Sequence, residues 1–125
     1  MLVVALYLQC KQGMGGYNTP RLLQVGCLIR QMAIPFIVLA DWNCEPAIVA
    51  SSAWFRDVGG SLLVPQNVEF TCFNGKRLID FVVHSPCLVG AISLEAMEDT
   101  PWKPHLGLLL KISTSPRQFL TKILV

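Results

Sequence analysis

The sequence predicts an α/β (α+β) domain, a mostly antiparallel sheet that begins with a βαβ unit. Three observations carry that reading. Two apolar stretches, "LVVALYLQ" at 2–9 and "FIVLA" at 36–40, have strand character and flank a segment whose apolar residues recur at helical spacing. The tripeptide "NGK" at 74–76 is a hairpin turn signal between two further strand-like stretches. The last two apolar stretches, "LVGAISLEA" and "HLGLLLKIS", are of strand length and are separated only by a loop.

Taken in order, residues 2–9 form the first strand. The opening "MLVVALYLQC" lacks the basic leader and small-residue cleavage site of a signal peptide, so it reads as a strand. The glycines of "CKQGMGGYN" mark a loop, after which Thr19 is placed as a helix N-cap and Pro20 as the first helical residue. Within "RLLQVGCLIRQM", most of Leu22, Leu23, Gly26, Cys27 and Ile29 share one helical face. Phe36 to Ala40, with β-branched Ile37 and Val38, then reads as a strand covered on both faces. A short packing helix over "AIVASSAWF" follows Pro46 and ends near Gly59 and Gly60. "SLLV" and "VEFTC" are short strands, the second joined through "NGK" to "RLIDFVVHS". The loop before the last strand carries Asp99, Pro101, Trp102 and Pro104. No linker or low-complexity segment divides residues 1–125, which are expected to form one unit.

Composition narrows the function classes. At 125 residues the chain can bury about two thirds of its unfolded surface. With 53% hydrophobic and 14% charged residues it is not a disordered chain, and it has apolar surface to spare for doubly covered sheets or for a partner. A net charge of +2 does not argue for nucleic acid, although Lys76, Arg77 and the Lys111, Arg117, Lys122 tail offer local positive charge. Charges at Lys11, Arg30, Asp41 and Arg56 interrupt every apolar run short of the roughly 18 residues of a bilayer span, so no membrane association is expected. The five cysteines include no CxxC pair and sit mostly in apolar segments, which points to a reducing, intracellular compartment, nucleus or cytoplasm.

The polar residues that break the apolar pattern are the candidates for chemistry. A buried strand that ends in "ADWN" places Asp41 and Asn43 on one face and Trp42 on the other, if strand alternation continues. The same two residues would also serve simply to start the turn that Pro46 closes. In "RLIDFVVHS", Asp80 falls between apolar Leu78 and Val82 on one face, and burying it alone would cost several kcal/mol. A partner is therefore predicted. His84 lies on the same face but roughly 13 Å along the strand, at about 3.3 Å per residue, too far for a hydrogen bond. His105, at the start of the last strand, is the remaining candidate; a carboxylate on one ring nitrogen would orient it. A histidine bonded only to backbone or water is the alternative there.

Together these motifs resemble the C-terminal half of the endonuclease/exonuclease/phosphatase superfamily of metal-dependent phosphodiesterases. "VVALYLQ" resembles the family strand whose tyrosine, here Tyr7, reaches the scissile phosphate. "PFIVLADWN" resembles the family's "GDxN" with Ala40 in place of glycine, "FTCFNGKRLIDFVVHS" its threonine, hairpin and "IDY" stretch, and "WKPHLGLLLKI" its "SDH" and final strand. "DWNCEP" and "SSAWF" are most similar to endonuclease domains of retroelements, with apurinic-site endonucleases a second likeness.

The resemblance implies half of a four-layered α/β sandwich, with the N-terminal half absent. It implies endonuclease-like hydrolysis of phosphodiesters, DNA above all, with magnesium or manganese as cofactor. Asp41 would orient or deprotonate the attacking water and serve as the metal ligand, and Asn43 would bond a phosphate oxygen. His105, held by Asp80, would stabilise phosphate charge; Tyr7 would contact the phosphate or leaving oxygen; Lys76 and Arg77 would contact nucleic acid. Two departures stand against this. The main metal-binding glutamate and an early asparagine belong to the family's N-terminal half, and Glu45, the nearest acidic substitute, precedes a chain-bending proline. Pro104 also stands where the family has the aspartate of "SDH". An inactive phosphate- or nucleic-acid-binding remnant, or a structural relic, is the alternative. If each half supplies one sheet, the inner face here is bare, and a homodimer, aggregation or a missing upstream segment would cover it.

Overall fold

A computed structural model describes residues 1–113. Its elements run β1 (Leu2–Tyr7), α1 (Thr19–Met32), β2 (Phe36–Asp41), α2 (Pro46–Ala50), α3 (Ala53–Val58), β3 (Ser61–Leu63), β4 (Asp80–His84), β5 (Ile92–Met97) and β6 (Gly107–Ile112). The first three form the expected βαβ unit, with β1 and β2 parallel; the other pairings are antiparallel. One sheet has the order β1-β2-β4-β3, and β5 with β6 makes a second, two-stranded sheet.

The two faces of the four-stranded sheet have different partners. Phe36, Val38, Ala40, Phe81 and Val83 face the helices and join Leu22, Val25 and Ile29 of α1 in the larger core. Ile37 and Val82 face the other way and pack with Leu88 and Leu94 against the β5–β6 hairpin. β2 and β4 are thus covered on both sides, as the uninterrupted apolar run of β2 requires. The hairpin corrects the expectation of one sheet and a bare inner face, because the chain itself supplies a second layer. What remains uncovered is the inner side of β1, where Val3 and Tyr7 are 54% and 59% exposed.

Local departures from the sequence reading each have a physical cause. β1 stops at Tyr7, not residue 9, because the Gln9 amide turns away to the side-chain oxygen of Asn18. Asn18, not Thr19, occupies the cap position of α1, and its fully buried side chain bonds Gln9 and Gly13 instead of capping. Leu23 and Cys27 lie on the exposed side of α1, whose buried face is Leu22, Val25, Gly26 and Ile29. The helix expected over 47–55 is two, broken where the Ser52 side chain accepts from the Phe55 amide and starts α3. Residues 68–72 form no strand; Cys72 makes isolated bridges to Arg77 and His105. The 74–76 turn is one of 3-10 type, with Gly75 at φ 72° and Lys76 at φ 48°. Arg117 and Lys122 lie outside the described residues.

Candidate active site

Four segments meet where β2 ends. Asp41, the last residue of β2, is paired directly with Asp80, the first residue of β4. Parallel register sets Tyr7 of β1 beside Asp41 on its other side. His105 is brought in from the loop before β6 by its backbone bridge to Cys72.

The anchor beneath the strands is aromatic. Trp42, buried completely, stacks on Phe81 with ring centroids 5.4 Å apart and donates its indole N–H to the Phe81 carbonyl at 3.1 Å. This contact points residue 42 into the core and leaves Asp41 on the opposite side, as strand alternation demands. Beyond it the chain leaves the strand, because Asn43 adopts a left-handed φ of 50°. The Asn43 amide N–H donates to Asp41 Oδ1 at 3.0 Å, and its side chain donates to the Leu8 carbonyl at 2.6 Å. Asp41 and Asn43 are therefore both turn-formers and neighbours at the strand end, and the two readings of this pair coincide.

Asp80 has the partner its burial requires. Its Oδ2 accepts from His105 Nδ1 and from the Thr71 hydroxyl, each at 2.8 Å. The same hydroxyl oxygen accepts the amide N–H groups of Ile79 and Asp80 at 3.1 and 3.0 Å. Thr71 is fully buried and joins the carboxylate to the start of β4. With Nδ1 committed to Asp80, the other ring nitrogen of His105 faces Asp41 Oδ2 at 3.7 Å. The result is a chain, Asp80 to His105 to Asp41, that runs from the buried side of the sheet to its rim. Burial, and then the charge of Asp80, push the Asp41 carboxyl above its ordinary value.

One ligand atom each from Asp41, Asp80 and His105 lies within 4.8 Å of the others, so the cluster could hold a metal ion. Asp80 Oδ2 and His105 Nδ1 already satisfy one another, so Asp41 Oδ2, 3.7 Å from His105 Nε2, is one of the oxygens open to a hard cation. A divalent charge there would also relieve the crowding that raises the Asp41 pKa.

The remaining residues separate into those the fold gathers and those it commits elsewhere. Tyr7 is exposed beside Asp41, and its carbonyl accepts from Arg21 Nη1 at 2.9 Å. Arg77 donates to Glu45 Oε1 at 2.9 Å and reaches the Asn43 carbonyl at 3.4 Å. That ion pair lowers the Glu45 pKa and takes Glu45 out of the set of metal ligands. Lys76 is exposed. His84 stays apart, its Nδ1 on the Ser85 carbonyl at 2.7 Å. Sequence reasoning assigned no role to Thr71, although a lone polar residue between Phe70 and Cys72 was its signal.

No family model matches the sequence, and no curated protein matches it. The fold, however, has close counterparts among solved structures. The endonuclease domain of TRAS1, a telomere-specific non-LTR retrotransposon, superposes with a TM-score of 0.65 at 17% identity, over 87% of this chain and 56% of that one. The chain has the endonuclease/exonuclease/phosphatase fold. CdtB, the biologically active subunit of cytolethal distending toxin, gives 0.59 at 11% identity, over 88% and 48%. The human nocturnin catalytic domain, with bound sulfate anion, gives 0.55 at 16% identity, over 86% and 45%. The chain thus spans about half the length of these endonuclease/exonuclease/phosphatase-fold proteins. Among the described residues, no helix is long and apolar enough to cross a membrane, and all five cysteines are free.

Proposed function

We propose that this chain carries the C-terminal half of a metal-dependent phosphodiesterase site of endonuclease type, acting on nucleic acid. The observation that carries the reading is the chain of contacts from Asp80 through His105 to Asp41 at the end of a doubly covered strand. Structure accounts for the Asp80–His105 bond, but not for the second carboxylate, Asp41, set on the other ring nitrogen, whereas phosphoryl transfer uses all three.

The roles follow from position. Asp41, at the end of β2, is the base that takes a proton from water as the water oxygen bonds to phosphorus and the bond to the leaving oxygen breaks. His105 faces the same space with Nε2 while Asp80 and Thr71 hold the ring through Nδ1, so in its doubly protonated form it presents an N–H to charge developing on the phosphate without reorganising. The second amide hydrogen of Asn43 and the exposed hydroxyl of Tyr7 are the further contacts for phosphate oxygens. Asp41 would be the residue to hold a divalent cation, magnesium or manganese, which would supply charge neutralisation at the phosphate. The uncovered inner side of β1 and the half-length match agree with an upstream segment, or a second copy, completing the sandwich.

A second reading, an inactive phosphate- or nucleic-acid-binding remnant, is favoured by one observation. Pro104, next to His105, offers neither charge nor donor where the family pattern has an aspartate. Plasmid nicking with and without magnesium separates the two. Metal-dependent nicking that is lost in an Asp41→Ala, His105→Ala double variant is expected for the enzyme. No nicking by either protein, with retained oligonucleotide binding, would transfer the site to the remnant.

A further inference from the structure

Beside the cluster stands a feature that the proposed chemistry does not use. Trp102 is 64% exposed, in contrast to Trp42, which is buried, and Trp54, which is bonded through its indole N–H to the Leu22 carbonyl. A freely exposed indole this large has a hydrophobic cost with no gain in packing. It is nevertheless held in place. The His105 amide donates to the Trp102 carbonyl at 3.0 Å, so the indole is tied within one turn of the imidazole. The Gly107 amide donates to Thr100 Oγ1 at 3.1 Å and closes the same loop. The ring lies over Gly107, where a Cβ would come within 3.0 Å of Trp102 Cζ3 and 2.6 Å of Thr100 Cγ2, so only glycine admits this arrangement. Trp102 then forms one wall of a groove of about 280 Å³ that has Ala5, Leu39 and Leu108 on its sides and Asp41 and Asp80 at its base.

Charge does not explain the loop. Glu98 and Asp99 precede the tryptophan and oppose a phosphate backbone, and Lys103 sits over the Phe73 ring at 4.5 Å. An aromatic face without a cation, one short loop from the imidazole, is instead the chemistry that takes the flat face of a base.

Resting on the phosphodiesterase reading, we propose that Trp102 is a base-stacking residue, holding the nucleobase next to the phosphate that Asp41 and His105 face. The substrate class this names is nucleic acid with an unstacked base at that position, single-stranded or distorted, and not a small phosphoester without a base.

The test uses binding, so it does not depend on turnover. A single-stranded 12-nucleotide DNA and an abasic oligomer of the same length and charge are titrated against the full chain, with indole fluorescence and anisotropy as readouts. The base-bearing strand is expected to bind roughly five- to a hundredfold more tightly than the abasic one and to quench the exposed tryptophan. Trp102→Ala is expected to remove that preference while leaving abasic binding and the thermal melt unchanged; Trp102→Phe is expected to keep part of it. Equal binding of the two oligomers, or an unaltered preference in Trp102→Ala, overturns the stacking role and leaves the phosphodiesterase reading standing. Binding of neither oligomer overturns both.

Discussion

Replacing Thr71 by valine removes one hydroxyl from a fully buried side chain of nearly the same shape, and the structure shows how much depends on it. The oxygen accepts two backbone N–H groups, of Ile79 and Asp80, and its hydrogen goes to Asp80 Oδ2. Each buried donor left without an acceptor costs about 1–3 kcal/mol, and a hydrogen bond to a charged group contributes about 1.5–3 kcal/mol. Because the two amides share one acceptor, the expected loss is about 3–6 kcal/mol, a large part of the roughly 5–15 kcal/mol available to a domain. Thr71→Ser keeps the hydroxyl and loses one methyl group, about 1 kcal/mol. Urea denaturation of the chain and its two variants should therefore place the valine midpoint at least ~0.7 M below that of the serine variant, at a slope of about 1–3 kcal/mol per M. Long-range ¹H–¹⁵N spectra should in parallel show His105 holding the Nδ1–H tautomer with serine and losing that preference with valine. Valine and serine variants equal within about 0.5 kcal/mol, with the same His105 spectrum, would refute the claim that Thr71 links Asp80 to β4.

Two further outcomes follow from the charges of the site. Asp41→Asn should raise Tm at pH 7, because burial and Asp80 make the ionised carboxylate costly. The sign is that of a carboxylate with a raised folded pKa: wild-type stability falls as pH climbs from the ordinary 3.8 through the folded value, and stays lower above it. The advantage of the asparagine variant should shrink as pH is lowered through that window, and a lower Tm for Asp41→Asn at neutral pH would contradict it. Glu45→Gln should change stability by less than about 1 kcal/mol, since both side chains of the Arg77 pair are over 40% exposed. It should free Arg77 for phosphate, tightening oligonucleotide binding roughly threefold or more at low salt and steepening the salt dependence by about one ion; an unchanged slope would mean Arg77 does not reach the strand.

What the sequence revealed and what it hid have different physical origins. β2 was legible because a run of apolar residues without alternation fits a doubly covered strand and little else. The need of Asp80 for a partner was legible because alternation places it among apolar residues, and His105 was the histidine left within reach. Contacts that decide an element from far away were not legible. Phe70 to Cys72 has strand composition, yet the amides of Thr71 and Cys72 both bond the Arg77 carbonyl, and the segment becomes a turn that presents a hydroxyl. Asn18 and Thr19 are both good capping residues, and the choice between them is made by buried bonds to Gln9 and Gly13. The ion pair of Arg77 was hidden as well, since its partner, Glu45, lies 32 residues away in sequence.

The pairing of Asp41 with Asp80 is the feature of the site that packing explains least. Like charges directly opposite one another on neighbouring strands are destabilising, and these two sit in register at the end of β2 and the start of β4. A sheet that needed only to pack would gain by a neutral residue at position 41. The imidazole of His105 lies between the two carboxylates, 2.8 Å from Asp80 and 3.7 Å from Asp41. Asp41 is the carboxylate at the rim, and burial, then the charge of Asp80, raise its pKa. On the phosphodiesterase reading proposed above, a cation at that rim would offset the charge that Asp80 sets beside Asp41.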